Sequence, residues 1–281
     1  MSGCDVVYVV LLRGPLRFHF RTAGDGIPFV YQHGLGADVN QPFKLFDPPE
    51  GFRLLSFDCR MHGQTTTPAE TNDISLASFA GDLVGLLDFL GIEQAIVGGI
   101  SMGAAVALNF ALRFPRRTLG LVLHRPAWLD GPNLKNAEIF GFVAKLIREY
   151  EPKQAVEQLR QSKLYADLRA ESVDCAESLL LQCAAHHARE SLSRLERIPL
   201  DAPNRDRTQW RNIKVPVLVL ANRQDPIHPF EYGEVLAREI PQAEFHELTP
   251  KSVSVERYVA DVRRFLTEFL RKHFVPLPSP K

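Results

Sequence analysis

The sequence predicts an α/β protein built on a mostly parallel central sheet with helices on both faces. Short apolar runs bounded by turn residues alternate with segments whose apolar residues recur at three- and four-residue spacing. Such runs are typical of strands buried on both faces, as in parallel sheets. The order of strand, helix and strand predicts right-handed crossovers. With 281 residues, 45% of them hydrophobic, the chain can bury a sizeable core.

The predicted strands begin with a hairpin and continue as single apolar runs. The hairpin joins Val6–Leu12 to Leu16–Arg21 around Gly14 and Pro15. Later strands are predicted at Pro28–Gln32, Arg53–Asp58, Gln94–Gly98, Leu119–His124, Val215–Ala221 and Ala243–Leu248. Helices are predicted at Leu76–Leu90, Ala104–Phe114, Phe230–Arg238 and Ser254–Lys272.

Between residues 130 and 210 the pattern changes to helices alone. They are predicted at Ile139–Tyr150, Gln154–Ala166 and Cys175–Arg197. A helical insertion that leaves one strand and returns before the next lies over the carboxyl edge of the sheet, where α/β sheets bind ligands. We therefore expect a core of residues 1–129 and 211–281 and a helical cap, or lid, of residues 130–210 that keeps water out.

Composition excludes several classes of function. The 33 basic and 33 acidic residues leave no net charge to attract nucleic acid or an anionic membrane. The apolar stretch Val6–Leu12 is too short for a membrane span or a signal peptide. The cysteines form no Cys-x-x-Cys pair, and they are Cys4, Cys59, Cys175 and Cys183. We expect a reduced, cytoplasmic protein that acts on a small molecule and has no metal or organic cofactor.

The strongest chemical signal is the segment Gly99-Ile100-Ser101-Met102-Gly103. It directly follows a predicted strand and precedes a predicted helix. A serine on so tight a turn needs small neighbours, and the strained backbone exposes its Oγ at the edge of the sheet. The helix N-terminus behind it favours negative charge. Ser101 is therefore the candidate nucleophile.

With this segment the chain resembles the α/β-hydrolase fold enzymes over nearly its whole length. Three more stretches carry the resemblance: His33-Gly34-Leu35-Gly36, Asp58-Cys59-Arg60-Met61-His62-Gly63, and Val215–Ala221 followed by Asp225. The resemblance implies that the backbone N–H groups of Leu35 and Met102 form an oxyanion hole. It implies that Asp225 is the acid of a catalytic triad, and that His33, near the site, shapes the pocket or holds loops together.

The base of the triad departs from the family pattern. A serine hydroxyl needs a base that a carboxylate orients, and the family places this histidine after the last strand. That loop, residues 249–254, contains no histidine. His228 lies three residues beyond Asp225 at the same sheet edge and is the preferred candidate for the base. Its alternative role is structural, as a residue that caps the following helix or forms a hydrogen bond within the loop. His124 and His246 are further candidates.

The sequence thus predicts a serine hydrolase of a small, largely apolar ester or lactone. Trp128, Phe43 and His124 are expected to line its pocket, although an aromatic residue at such a junction is more often plain core. The resemblance also admits hydrolysis of carbon–carbon bonds in ring-cleavage products. A rival interpretation, based on the missing histidine, is a protein that has lost turnover and serves as a small-molecule sensor or scaffold.

Overall fold

The computed structural model describes residues 7–13, 16–65, 73–185 and 187–274. It confirms the α/β fold with an eight-stranded sheet whose strands lie in the order β1-β2-β4-β3-β5-β6-β7-β8. The strands are β1 (Val7–Arg13), β2 (Leu16–Ala23), β3 (Ile27–Gln32), β4 (Phe52–Phe57), β5 (Ala95–Ile100), β6 (Thr118–His124), β7 (Val217–Ala221) and β8 (Ala243–Glu247).

Only the first strands of the described chain run antiparallel. β1 pairs antiparallel with β2, and β2 pairs antiparallel with β4. The pairs from β3 to β8 are parallel, with a register irregularity at Ala95 and Ile96. The predicted hairpin is therefore present, while its turn at Gly14 and Pro15 lies outside the described residues, as does Cys4. The parallel strands end at one edge, which gathers the loops discussed below.

Ten α-helices accompany the sheet in the described chain. They are α1 (Asn40–Leu45), α2 (Leu76–Phe89), α3 (Met102–Arg113), α4 (Leu134–Glu149), α5 (Pro152–Gln161), α6 (Lys163–Glu171), α7 (Val173–Ala184), α8 (Leu192–Arg197), α9 (Phe230–Glu239) and α10 (Val255–His273). Short 3₁₀ turns lie at Pro115–Arg117, Ile198–Leu200 and Arg207–Asn212. None of the described helices is both long and apolar enough to cross a membrane.

Successive residues of a strand belong to different hydrophobic clusters, one on each face of the sheet. Val97 of β5 joins a cluster with α2, α3 and α9 on one face of the sheet. Its neighbour Ile96 joins a cluster with α10 on the other face. This alternation follows from the two-residue period of a strand and explains why both sides of β5 are fully buried.

Two of the predicted cap helices are divided in the structure. Ser162 separates α5 from α6, because its extended backbone ends one helix while its side chain accepts a hydrogen bond from the Tyr165 N–H and caps the next. The predicted helix Cys175–Arg197 ends at Ala184, since Ala185 is extended, and resumes at Leu192. Helical periodicity continued across both breaks, so it could not reveal them.

The helices from α4 to α8 share an apolar cluster of their own. Its members include Ile139, Val143 and Leu179, and two residues from the sheet-edge loops pack with it, Ile227 and Leu35. Asn136 of α4 also donates a hydrogen bond to the Ile227 carbonyl at 2.9 Å. These contacts hold the helical segment above the edge of the sheet.

Candidate active site

Ser101 lies on a strained turn between β5 and α3. Its backbone angles, φ 56° and ψ −112°, belong to neither helix nor strand. A Cβ at Gly99 would lie 2.3 Å from the Gly103 carbonyl carbon, and one at Gly103 would lie 2.3 Å from the Gln32 carbonyl oxygen. The turn therefore requires both glycines. The Ser101 hydroxyl does not cap its own helix, so it is available for other partners.

His228 bridges Ser101 and Asp225. Its Nε2 lies 2.8 Å from Ser101 Oγ, and its Nδ1 lies 2.8 Å from Asp225 Oδ1. An ionised carboxylate can only accept hydrogen bonds, so Nδ1 is the protonated nitrogen and Nε2 is left to accept the hydroxyl proton. The three predicted residues thus form a continuous hydrogen-bonded chain.

A tight turn makes this spacing possible. The His228 N–H lies 3.2 Å from both the carbonyl oxygen and Oδ1 of Asp225. This turn returns the imidazole to the carboxylate three residues earlier, and α9 begins at Phe230. The base and the acid therefore come from one loop, between β7 and α9.

Asp225 is surrounded by hydrogen-bond donors, and its side chain is only 1% exposed. Arg125 Nε and Nη2 lie 2.7 and 2.6 Å from Oδ2. The Cys175 thiol, from α7, donates to Oδ1 at 3.2 Å. Burial alone raises the pKa of this carboxyl, but the charges of Arg125 and His228 outweigh burial and hold it well below its usual range.

The surroundings of His228 favour the neutral form of its imidazole. Its side chain is 11% exposed, and burial lowers its pKa. The Asp225 carboxylate opposes this effect, while the positive charges of Arg125 and Lys251 reinforce it. A neutral imidazole is the form that can accept a proton from serine.

The loop after β8 holds a lysine where the family pattern places a histidine. Lys251 lies 5.1 Å from the centre of the Tyr258 ring and 3.3 Å from Asp174 Oδ1. Burial lowers its pKa, with a further contribution from Arg125. His246 stacks on Phe265 with ring centres 4.1 Å apart, which is a packing role.

The two residues expected to supply the oxyanion hole, Leu35 and Met102, lie on segments next to Ser101. Met102 is the first residue of α3, so its N–H has no acceptor within the helix. Leu35 follows Gly34, where a Cβ would lie 3.6 Å from Ser101 Cβ. The oxyanion loop and the nucleophile are therefore neighbours.

His33 fixes the backbone of the loops around the site. Its Nε2 accepts the Cys59 N–H at 3.1 Å, so its Nδ1 donates to the Gly34 carbonyl at 2.8 Å. The ring is fully buried, and burial lowers its pKa. His33 thus ties the loop after β3 to the loop after β4, which is how it shapes the site.

His124, Phe43 and Trp128, which were expected to line the pocket, have contacts of their own, and none of them lines the cavity described below. Both His124 nitrogens are engaged by buried tyrosine hydroxyls, those of Tyr31 and, at 2.8 Å, Tyr258. Burial lowers the pKa of His124 well below its usual value. Phe43 packs under the Arg21 guanidinium, 4.2 Å away. Trp128 belongs to the core under the sheet, and its buried Nε1 has no partner among the described residues. The sequence alone does not show whether a residue at a strand end or junction faces a ligand or the core.

An open cavity of about 980 Å³ lies beside the oxyanion loop. The loops after β3 and β4, the segment 185–194 and the loop after β8 line it. Its walls include Gly36, His62, Arg194 and Lys251. Among the described residues, no group of three or more His, Cys, Asp or Glu side chains could hold a metal ion.

Sequence reasoning missed Arg125, Cys175 and Arg194. Arg125 directly follows β6, whose neighbour in the sheet is β7, the strand before Asp225. A charged residue at that strand end was a usable signal. Cys175 and Arg194 gave none, because their partners lie in other segments of the chain.

Comparison with known proteins identifies the family. The sequence model of the alpha/beta hydrolase fold matches residues 27–252, and the chain belongs to this family. It is 30% identical, over 92% of its length and 68% of the relative's, to the dihydrolipoyllysine-residue acetyltransferase component of the acetoin cleaving system of Pseudomonas putida.

Two further relatives are hydrolases. The chain is 29% identical to 2-hydroxy-6-oxononadienedioate/2-hydroxy-6-oxononatrienedioate hydrolase of Comamonas testosteroni, over 82% of both chains. It is 26% identical to 3-oxoadipate enol-lactonase 2 of Acinetobacter baylyi, over 80% of its own length and 81% of the relative's. The family and these relatives support its assignment as a hydrolase of small molecules.

Proposed function

We propose that the protein is a serine hydrolase of a small ester or lactone, with Ser101, His228 and Asp225 as its catalytic triad. The observation that carries this proposal is the pair of 2.8 Å contacts of His228 with Ser101 Oγ and Asp225 Oδ1. The contact with Ser101 lies within the range in which a positioned base can abstract a proton, and the contact with Asp225 is a hydrogen bond that orients the imidazole.

The reaction follows from these positions. His228 Nε2 takes the hydroxyl proton while Ser101 Oγ bonds to the carbonyl carbon, and the carbonyl oxygen becomes an oxyanion facing the Leu35 and Met102 N–H groups. The imidazolium returns the proton to the departing alcohol oxygen as the carbon–oxygen bond breaks, leaving an acyl-serine. Water, deprotonated by His228, then releases the acid and restores Ser101.

Asp225 has two tasks in this scheme. Its carboxylate holds Nδ1–H, which fixes the tautomer of His228, and it stabilises the imidazolium that forms. Arg125 anchors the opposite oxygen, so the carboxylate cannot rotate away from the histidine. We propose that residues 130–210 act as a lid over this centre, because the cluster of their helices includes Ile227 from the same loop as the base.

A second candidate reaction is hydrolysis of a carbon–carbon bond in a vinylogous diketone. The similarity to the Comamonas testosteroni hydrolase favours it, since the two chains match over most of both lengths. The sensor interpretation is less favoured, because it rested on a missing base and His228 occupies the base position geometrically.

Serine-directed labelling tests the proposal. A fluorophosphonate should label the wild-type protein at Ser101, and Ser101→Ala should abolish labelling and lower kcat for a para-nitrophenyl ester by about 10⁵-fold or more. Ser56→Ala is a control, since its hydroxyl is buried in β4. Failure of the wild type to label after long incubation would favour the sensor interpretation.

A further inference from the structure

We propose that Arg194 forms a carboxylate-binding subsite in the cavity beside the oxyanion loop, so that the substrate carries a carboxylate away from the bond that is cleaved. This inference rests on the proposed function, because it names the class of substrate for the same site.

Arg194 is buried, and the described residues give it no carboxylate partner. The residue is only 5% exposed. Its described contacts are the Met61 carbonyl at 2.8 Å, the Ser191 hydroxyl and Gln182 Oε1 at 3.3 Å, all of them uncharged. Its Nε is buried and has no partner among the described residues. A buried guanidinium without a counter-charge is costly unless a ligand supplies one.

Arg194 shares its cavity with a second unsatisfied atom. His62 is buried, and its Nδ1 donates to the Arg60 carbonyl at 2.9 Å, which leaves Nε2 as an acceptor without a partner in the described chain. Both residues line the same cavity of about 980 Å³. The cavity wall therefore contains a buried cation and a buried hydrogen-bond acceptor, each with one atom that has no partner in the described chain.

The other charged residues of the cavity do not neutralise Arg194. Asp38 accepts the Asn40 N–H at 2.8 Å, and Glu190 is exposed and forms no ion pair with Arg194 within 4.0 Å in the described structure. Lys251 is paired with Asp174. Among the described residues, Arg194 is thus the buried cation of this cavity that lacks an acidic partner. Burial lowers its pKa to about 10, which still leaves it charged at neutral pH.

The subsite is connected to the candidate oxyanion hole. Arg194 contacts Gln182 Oε1, and Gln182 Nε2 donates to the Leu35 carbonyl at 3.2 Å. Gly36 passes so close to this amide that a Cβ there would overlap it at 2.0 Å. A carboxylate held by Arg194 would therefore lie one side chain away from the loop that binds the reacting carbonyl.

A pair of matched esters tests the proposal. Mono(para-nitrophenyl) glutarate carries a free carboxylate, and its methyl ester is the neutral equivalent with the same leaving group. We expect the wild type to have a kcat/KM about tenfold to hundredfold higher for the carboxylate, the range of a charged hydrogen bond. Arg194→Met should remove this preference, through an increase in KM for the carboxylate ester.

The control is Arg148→Met, which removes an exposed arginine paired with Glu196 elsewhere on the helical segment. It should keep the wild-type preference. If Arg194→Met does not fold, Arg194→Lys replaces it and should show an intermediate preference, because an ammonium cannot form the two-point contact. Equal kcat/KM values of the wild type for both esters, or an unchanged preference in the folded Arg194 variant, would overturn the proposal.

A binding measurement separates this inference from the proposed reaction. Calorimetry on the Ser101→Ala protein should detect glutarate, and should detect it at least about tenfold more weakly after Arg194→Met is added. If the wild type cleaves neither ester but Arg194→Met still weakens glutarate binding, the subsite would be supported and the hydrolase proposal contradicted. Equal glutarate binding by both proteins would overturn the subsite whatever the activity.

Discussion

The loops after β7 and β8 open at the same edge of the sheet and differ in what they bring to Ser101. The β7 loop carries Asp225 and His228, and the imidazole reaches the serine hydroxyl at 2.8 Å. The β8 loop carries Lys251, whose ammonium pairs with Asp174 and lies over the Tyr258 ring. In the family pattern the second of these loops holds the base. The comparison shows that the β7 loop, rather than the β8 loop, brings an imidazole within hydrogen-bond distance of Ser101, and this geometry supports the proposal that His228 is the base.

The largest expected effect comes from removing the imidazole of the β7 loop. His228→Ala should lower kcat by about 10² to 10⁴-fold, since general-base assistance contributes that much. Steady-state kinetics on a para-nitrophenyl ester measures it, with circular dichroism to verify folding. His246→Ala is the matched control from the last strand and should change kcat little, because its ring packs on Phe265. A His228→Ala enzyme with near-normal kcat would remove the basis of the comparison.

A smaller effect is expected at the anchor of the acid. Arg125→Met removes both hydrogen bonds to Asp225 Oδ2 and leaves a buried carboxylate with fewer donors. The free energy of unfolding should fall by about 3 to 5 kcal/mol. The variant also loses a positive charge near His228, so the pKa of the imidazole rises and the acid limb of kcat/KM moves to higher pH. Urea titration and a pH profile measure these changes, and an acid limb that moves to lower pH would be the wrong sign.

Lys251→Met should change the pH profile of the enzyme and little else. Lys251 also lowers the pKa of His228, so its removal should shift the acid limb upward, by less than Arg125→Met does. At about pH 8, above the ordinary pKa of a histidine, kcat should be nearly unchanged. A large loss of kcat at that pH would show that the β8 loop takes part in the chemistry.

The smallest effect concerns how firmly the helical segment holds the two loops. Asn136 of the helical segment donates a hydrogen bond to the Ile227 carbonyl in the β7 loop. The β8 loop is held differently, since its Lys251 pairs with Asp174 of the helical segment. Asn136→Ala should therefore speed hydrogen exchange at the His228 amide more than at the Ser254 amide. In the wild type, α4 to α8 should open more readily than β7. Equal protection of α4 to α8 and β7 would argue against a mobile lid.

Much of the fold was predictable because its signals are local. Apolar runs marked every strand of the sheet to within a few residues, and the glycines around Ser101 marked the nucleophile turn. The proximity of His228 to Asp225 was also predictable, since three residues separate them. The breaks at Ser162 and Ala185 were not, because apolar periodicity continues across them.

The surroundings of the triad depend on distant pairs and could not be predicted in the same way. Arg125 meets Asp225 100 residues later, and Cys175 meets it 50 residues later. His124 ends a strand beside the nucleophile strand, which suggested a pocket position, but buried tyrosines engage both its nitrogens. Side-chain partners of this kind depend on tertiary packing, which a strand-end position does not specify.

Because a short turn joins Asp225 to His228, the chain can be cut before β8 without separating the proposed triad residues. All three proposed triad residues precede Gln242, where the backbone has a φ of 59° just before β8. β8 and α10 therefore close the sheet and cover one of its faces without contributing a member of the triad. A protein split at this point would keep the proposed nucleophile, acid and base on a single fragment, while the second fragment would supply β8, α10 and Lys251 of the cavity wall.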